Sequence, residues 1–181
     1  IEKLTKAVSS TLGASGKCVI LEDGSGNPMI TKDGVTVADL ITLLDPVENM
    51  GATLIKEAAR KTVQEAGDGT TTATVLAHAI LKEAYNLDSK QVNTRDLKGG
   101  INKAVDKVVK HLEKNSIKVT GDMIDSVATI STNNDPELGK IIGNAFRAVG
   151  ETGVVMMEPT ASATTEVEIV EGAQYEKGLT N

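Results

Sequence analysis

Three short segments hold residue types able to handle a phosphate and its counter-ion. GDGTTT, residues 67–72, joins two helical patterns. The amides of a new helix's first turn point into such a gap and carry the positive end of its dipole. Two glycines let a ligand approach the main chain, and three hydroxyls add donors. Asp68 is the odd member, because a carboxylate beside a phosphate repels it unless a cation lies between; Mg²⁺, which takes one or two carboxylates plus phosphate oxygens, is the natural bridge. Taken alone, the plainer reading, in which Asp68 or Thr70 caps the helix, is slightly the better one.

TLGASGK, residues 11–17, ends a helix with two glycines and reads either as a second phosphate loop or as a glycine C-cap and turn. TKDG, residues 31–34, sets Lys32 beside Asp33, a cation for phosphate charge and a carboxylate able to orient or deprotonate water. In isolation an Asp-Gly turn is the better reading of that tetrad. No GxxxxGK[ST] occurs, so any nucleotide site is not a P-loop. Each segment is weak singly, but the three together are not.

The elements that must position them follow from periodicity. Residues 2–12 predict an amphipathic helix, 18–21 and 29–31 a hairpin about the DGSGN turn, and 34–40 a short helix. A long helix runs from Pro46 to Ala66 with Val47, Met50, Leu54, Ala58 and Thr62 on one face. A second reaches Tyr85 on Thr72, Val75, Leu76, Ala79 and Ile80, and a third starts at Thr94 with Leu97, Ile101, Val105, Val108 and Leu112 in line. After Ser116 the texture changes to a small α+β pattern: helices over 120–130 and 136–149, and strands over 153–157 and 165–170. A domain boundary is expected near Ser116.

Composition excludes several classes. With 181 residues, 40% hydrophobic and 24% charged, the chain can bury a real core and is neither disordered nor collagen-like. Tyr85, Phe146 and Tyr175 are its sole aromatics, so bases are not bound by stacking. The net charge of −6 gives no general field for nucleic acid or a membrane surface, so any phosphate must be held locally. One cysteine, Cys18, forms no internal disulfide and fits a reducing compartment; it reads as a small buried hydrophobe. Met156 and Met157 likewise read as core. His78 and His111 share no metal-ligand spacing. Ile1 in place of Met, with a helix already under way, implies a piece of a longer chain.

TLG (11–13), ITKDGVTVA (30–38), ENMGA (48–52) and AGDGTTTATVLA (66–77) together resemble the group I chaperonins, the GroEL type. The likeness continues through ATIS (128–131), VGETGVV (149–155) and VEGAQYEKG (170–178), collinear over essentially the whole chain. It implies a mainly α equatorial chaperonin domain, partial and with a small β-hairpin, plus a small α+β arm of an intermediate domain. The implied domains are equatorial over 1–116, intermediate hinge over 117–172 and the start of an apical domain over 173–181.

By resemblance, Thr11, Leu12, Gly13 and Ala14 line the nucleotide, Lys32 contacts phosphate or its cation, and Gly69, Thr70, Thr71 and Thr72 cradle the phosphates. Asp68 holds Mg²⁺, Asp33 takes part in hydrolysis, and Ile130 is an apolar contact near the nucleotide. Ala14 and Ser15 stand where the family usually has Pro and Lys, Lys17 where it has Arg, and Leu179 where it often has Tyr. The implied cofactors are ATP and Mg²⁺, with K⁺ as a further cation. The implied partners are a homo-oligomeric ring, heptameric by resemblance, non-native polypeptide clients and a co-chaperonin lid, with no nucleic acid and no membrane. The location expected is the cytoplasm, with an organellar matrix as the alternative. The function implied is an ATP-driven folding machine whose isolated fragment has little ATPase. The alternative is a chaperonin-fold scaffold without a productive ATPase cycle.

Overall fold

The computed structural model describes residues 1–13, 15–87 and 92–172. Among the described residues it is mostly helical with one two-stranded sheet, and the chain divides into two compact units, Ile1–Asn115 and Ser116–Asn181.

The first unit opens with α1 (Glu2–Ser9), then β1 (Val19–Glu22) and β2 (Pro28–Thr31), paired antiparallel with Val19 opposite Thr31 and Glu22 opposite Pro28. Asp23 shapes the turn: its Oδ1 accepts from the Ser25 and Asn27 amides, each at 2.8 Å. Those backbone bonds, Asn27's foremost, hold its carboxyl below the ordinary value. α2 (Gly34–Leu40) follows, then α3 (Pro46–Ala66), α4 (Thr70–Asn86) and α5 (Thr94–Asn115).

α3 starts where its sequence dictates. The Asp45 carboxylate accepts from the Val47 and Glu48 amides at 2.9 Å each, and Pro46 sits in the first turn, where its missing N–H costs nothing. It ends on Gly67 at φ 72, and α4 begins on Gly69 at φ 87, so two left-handed glycines turn the chain sharply about Asp68.

The core gathers Leu4, Val8, Val37, Ala38, Ala52 and Ile55, with Ile1, Val19, Leu21, Ile41, Leu43 and Ala77 around it. The face α3 buries is Ala52, Ile55, Lys56 and Ala59, whereas Val47, Met50 and Leu54 are exposed. The helix carries two apolar stripes, and the periodicity had marked the outer one. In α4 too the inner face is Thr70, Thr71 and Thr74, with Leu76 and Ile80 exposed, and no residue of α5 is fully buried. α1 is shorter than its period predicts. It stops at Ser9, where the backbone tightens: the Thr11 and Leu12 amides donate three residues back, to the Val8 and Ser9 carbonyls at 3.0 Å and 3.2 Å. Cys18 is exposed, not buried: strand alternation puts it with the exposed Ile20 on the outer face, while Val19 and Leu21 face the core.

In the second unit α6 (Met123–Ser131) and α7 (Pro136–Val149) form a hairpin turned by Asn133 and Asn134 at φ 59 and 65. Gly139 lies against Thr129 and Gly143 against Asp125, so the helices run antiparallel at glycine-close separation. Asp135 caps α7 through the Glu137 and Leu138 amides, and Arg147 pairs with Asp125 at 2.7 Å. Among the described residues, 153–157 and 165–170 join no ladder. Met156 and Met157 are exposed, because alternation marks a potential face but a strand needs a hydrogen-bonded neighbour. Residues 173–181, expected to start another domain, lie outside the described residues. Among the described residues no helix is long and apolar enough to cross a membrane.

Candidate functional site

The three loops singled out in the sequence converge on Thr71. Thr11 is buried in the turn after α1, and its hydroxyl donates to the Val8 carbonyl at 2.8 Å. It also lies 2.8 Å from the Thr71 hydroxyl. A hydroxyl carries one proton, so with Thr11 donating to Val8 the Thr71 O–H must donate to Thr11 Oγ1. That bond ties the end of α1 to the first turn of α4 across 60 residues of sequence.

Gly34, first residue of α2, is buried against the same turn. A Cβ placed there would overlap Thr71 Oγ1 and stand 3.1 Å from Thr70 Oγ1 and 3.2 Å from Thr71 Cβ. Only glycine lets the two helix starts meet this closely. Asp33, immediately before it, caps α2: its Oδ2 accepts the Thr36 amide at 2.8 Å and the Thr36 hydroxyl at 2.5 Å. The Asp-Gly pair is therefore a helix start and not a free turn. Its carboxylate is exposed, with Oδ2 held by those two donors.

Among the described residues no side chain caps the first turn of α4, whose N-cap is Gly69. Asp68 does not supply a cap; its Oδ1 turns back to accept from the Gly69 amide at 2.6 Å, and the residue is exposed. The capping explanation of GDGTTT is thus not what the chain does. Thr70 and Thr71 are buried with their hydroxyls among the three loops, while Thr72 is exposed. The resulting surface joins uncapped amides at a helix's positive end with hydroxyls and flanking carboxylates, the donor chemistry that a phosphate and a hard cation use.

Of the remaining residues, Leu12 is exposed, Gly13 has φ 71, and Lys32 is half-buried in the link from β2 to α2. Gly16 packs on the Thr11 backbone, 2.5 Å from a would-be Cβ to the Thr11 carbonyl carbon, so this loop is tightly folded. Ala14 lies outside the described residues, and Ile130 is on α6 in the second unit, exposed. Among the described residues no cluster of three or more His, Cys, Asp or Glu side chains could hold a metal by itself, so a cation would depend on phosphate oxygens as well as Asp68. Two features around the site escape sequence reasoning. Gly34's close approach is signalled in sequence only by a glycine opening a helix, and the buried Lys56 only by a charge within the Ala52, Ile55, Ala59 stripe.

Known structures share this fold. The chaperonin gp146 from the bacteriophage EL 2 (Pseudomonas aeruginosa), crystallised in the presence of ATP-BeFx, matches at a TM-score of 0.68 and 32% identity over 79% of this chain and 25% of that one. A group III chaperonin in the open state matches at 0.66 and 34% identity over 80% of this chain and 29% of the other. The chain thus spans about a quarter of the length of these solved chaperonins. The family model for TCP-1/cpn60 chaperonins matches residues 4–181. With fold and family model in agreement, the chain belongs to the TCP-1/cpn60 chaperonin family.

Proposed function

We propose that the intact protein is an ATP-dependent chaperone subunit of the group I type, assembled in a ring, heptameric by resemblance, that assists non-native polypeptides together with a co-chaperonin lid. The observation that carries this reading is the uncapped first turn of α4, against which Thr11 and Gly34 are packed. The ATP analogue in the gp146 crystals supports nucleotide as the ligand. Residues 1–116 would form part of the equatorial domain, 117–172 an arm of the hinge and 173–181 the start of the apical domain. The setting we infer is the cytoplasm or an organellar matrix.

In this reading the α4 amides, that of Thr71 among them, and the Thr70 and Thr72 hydroxyls hold the phosphates, while Thr11, Leu12, Gly13 and Ala14 line the nucleotide and Lys32 offsets phosphate charge. Asp68, through the oxygen not used by Gly69, would hold Mg²⁺, which supplies neutralisation of charge building on the phosphates. K⁺ would be a further cation at the phosphates. Asp33, fixed by Thr36, orients a water for in-line attack on the γ-phosphorus. The water oxygen bonds to phosphorus, the bond to the ADP oxygen breaks, and the water proton passes to the carboxylate and on to solvent.

Asp68→Ala in the intact protein is expected to abolish Mg·ATP hydrolysis in a steady-state phosphate-release assay. Unchanged turnover would overturn the assignment. The 181-residue chain by itself is expected to show little or no turnover.

A further inference from the structure

We propose that Lys56 is a positioning residue for the Asp33 carboxylate, acting through α2; this rests on the ATPase reading above. Lys56 lies on the buried face of α3, 9% exposed, between Ile55 and Ala59. An ammonium in such a place is costly unless it finds acceptors. Lys56 Nζ donates to two main-chain carbonyls at the far end of α2, those of Ile41 at 2.6 Å and Asp39 at 3.2 Å. A helix's last carbonyls lack intrahelical partners, and a cation there also meets the negative end of the dipole. One turn along α3, Arg60 pairs with the Asp39 carboxylate at 2.8 Å, so a second cation grips the same end.

The opposite end of α2 stops on α4, with Gly34 against Thr70 and Thr71. α2 has seven residues and is therefore about 10 Å long. It is wedged lengthwise between the α3 ammonium and the first turn of α4, and Asp33 sits on its tip. α3 and α4 are themselves joined through Gly67, Asp68 and Gly69, so Lys56 sets where Asp33 stands relative to the amides proposed to hold the phosphates. Because Lys56 lies at the end of α2 away from Gly34, removing its ammonium loosens that end while the α4 amides and hydroxyls proposed to hold the phosphates stay in place.

The test compares Lys56→Met, which keeps the stem and removes the ammonium, with Lys56→Gln, which keeps one donor, and with Lys61→Met, an exposed lysine of the same helix, as control. Each is made in the intact protein, alone and with Asp33→Asn. Lys56→Met is expected to lower kcat about 10- to 100-fold while the equilibrium Kd for ATP moves less than about 3-fold, with Lys56→Gln intermediate and Lys61→Met unchanged. In the Asp33→Asn background it should add almost nothing, which a merely structural role would not produce. Hydrogen exchange of the Val37 and Ile41 amides should quicken in step. If Lys56→Met does not assemble, Lys56→Gln carries the same comparison. An unchanged kcat, or a loss that adds fully to that of Asp33→Asn, overturns the proposal. If the wild type turns over no ATP, the ATPase reading fails instead, and the exchange result alone decides whether Lys56 holds α2, unchanged protection refuting it.

Discussion

Gly34→Ala tests the convergence of the loops most directly. The added methyl would overlap Thr71 Oγ1 and lie 3.1 Å from Thr70 Oγ1 and 3.2 Å from Thr71 Cβ. Relief requires either backing α2 off α4 or rotating the Thr71 hydroxyl away from Thr11, 2.8 Å distant. Overpacking of this kind costs about 1–3 kcal/mol, and losing the hydroxyl pair about 1 kcal/mol more. Alanine's better helix propensity returns about 0.5–1 kcal/mol, leaving a net destabilisation of about 1–3 kcal/mol. Thr71→Ala removes the overlapping oxygen, so in that background Gly34→Ala should cost under about 1 kcal/mol. The pair should therefore be coupled by about 1–2 kcal/mol, against the few tenths expected of independent sites. Amide hydrogen exchange within α2 and at the start of α4, measured on wild type, both single variants and the double, reads that coupling locally. Costs that add to within about 0.5 kcal/mol would refute the idea that Gly34 and Thr71 share one contact.

Other consequences are independent of that site. Gly139→Ala should destabilise the α6 and α7 hairpin by about 2–3 kcal/mol, because its Cβ would come within 2.7 Å and 2.8 Å of the Thr129 Cα and N, which cannot swing away. Gly143→Ala should cost about 1 kcal/mol, since the Asp125 carboxylate can move at the expense of its partly exposed Arg147 pair; denaturant titrations of the two variants rank them. Asp45→Ala should lower the stability of α3 by about 1 kcal/mol through loss of its cap, read as faster exchange of the Val47 and Glu48 amides. Asp23 has a folded pKa below its ordinary 3.8, so its contribution is complete above that value and disappears as pH falls through the lower folded one. The Ser25 and Asn27 amide resonances should shift across that acidic window, and Asp23→Asn should remove the step.

Much of the architecture was legible because it is written in local chemistry. Asp45, Pro46 and Gly67 bracket α3, and Asp135, Pro136 and Gly150 bracket α7, each by a cap or a forbidden N–H that needs no distant partner. Faces were less legible. Val47, Met50 and Leu54 keep the helical period as well as Ala52, Ile55 and Ala59, and period alone cannot say which stripe turns inward. The strand candidates after Gly150 failed for a related reason, since alternation describes one strand and a ladder needs two. At the site, GDGTTT and its companions were recognisable by composition. That Thr11 and Gly34 meet at Thr71 was not, because a contact between remote loops leaves no mark in spacing, and Lys56 was hidden on the stripe that periodicity passed over.

The Thr11 to Thr71 hydroxyl bond also depends on the packing around it. Joining chain points 60 residues apart costs a flexible chain about 3–4 kcal/mol in closure entropy, whereas one neutral hydrogen bond returns about 1 kcal/mol. It cannot draw the ends together by itself. α3 and α4 must first pack as neighbours and bring α1 onto α4, after which the two hydroxyls find each other without further search. The site is thus complete only when the helices around it are packed. A substitution that slows the docking of α1 would delay it even while every residue of the three loops is intact.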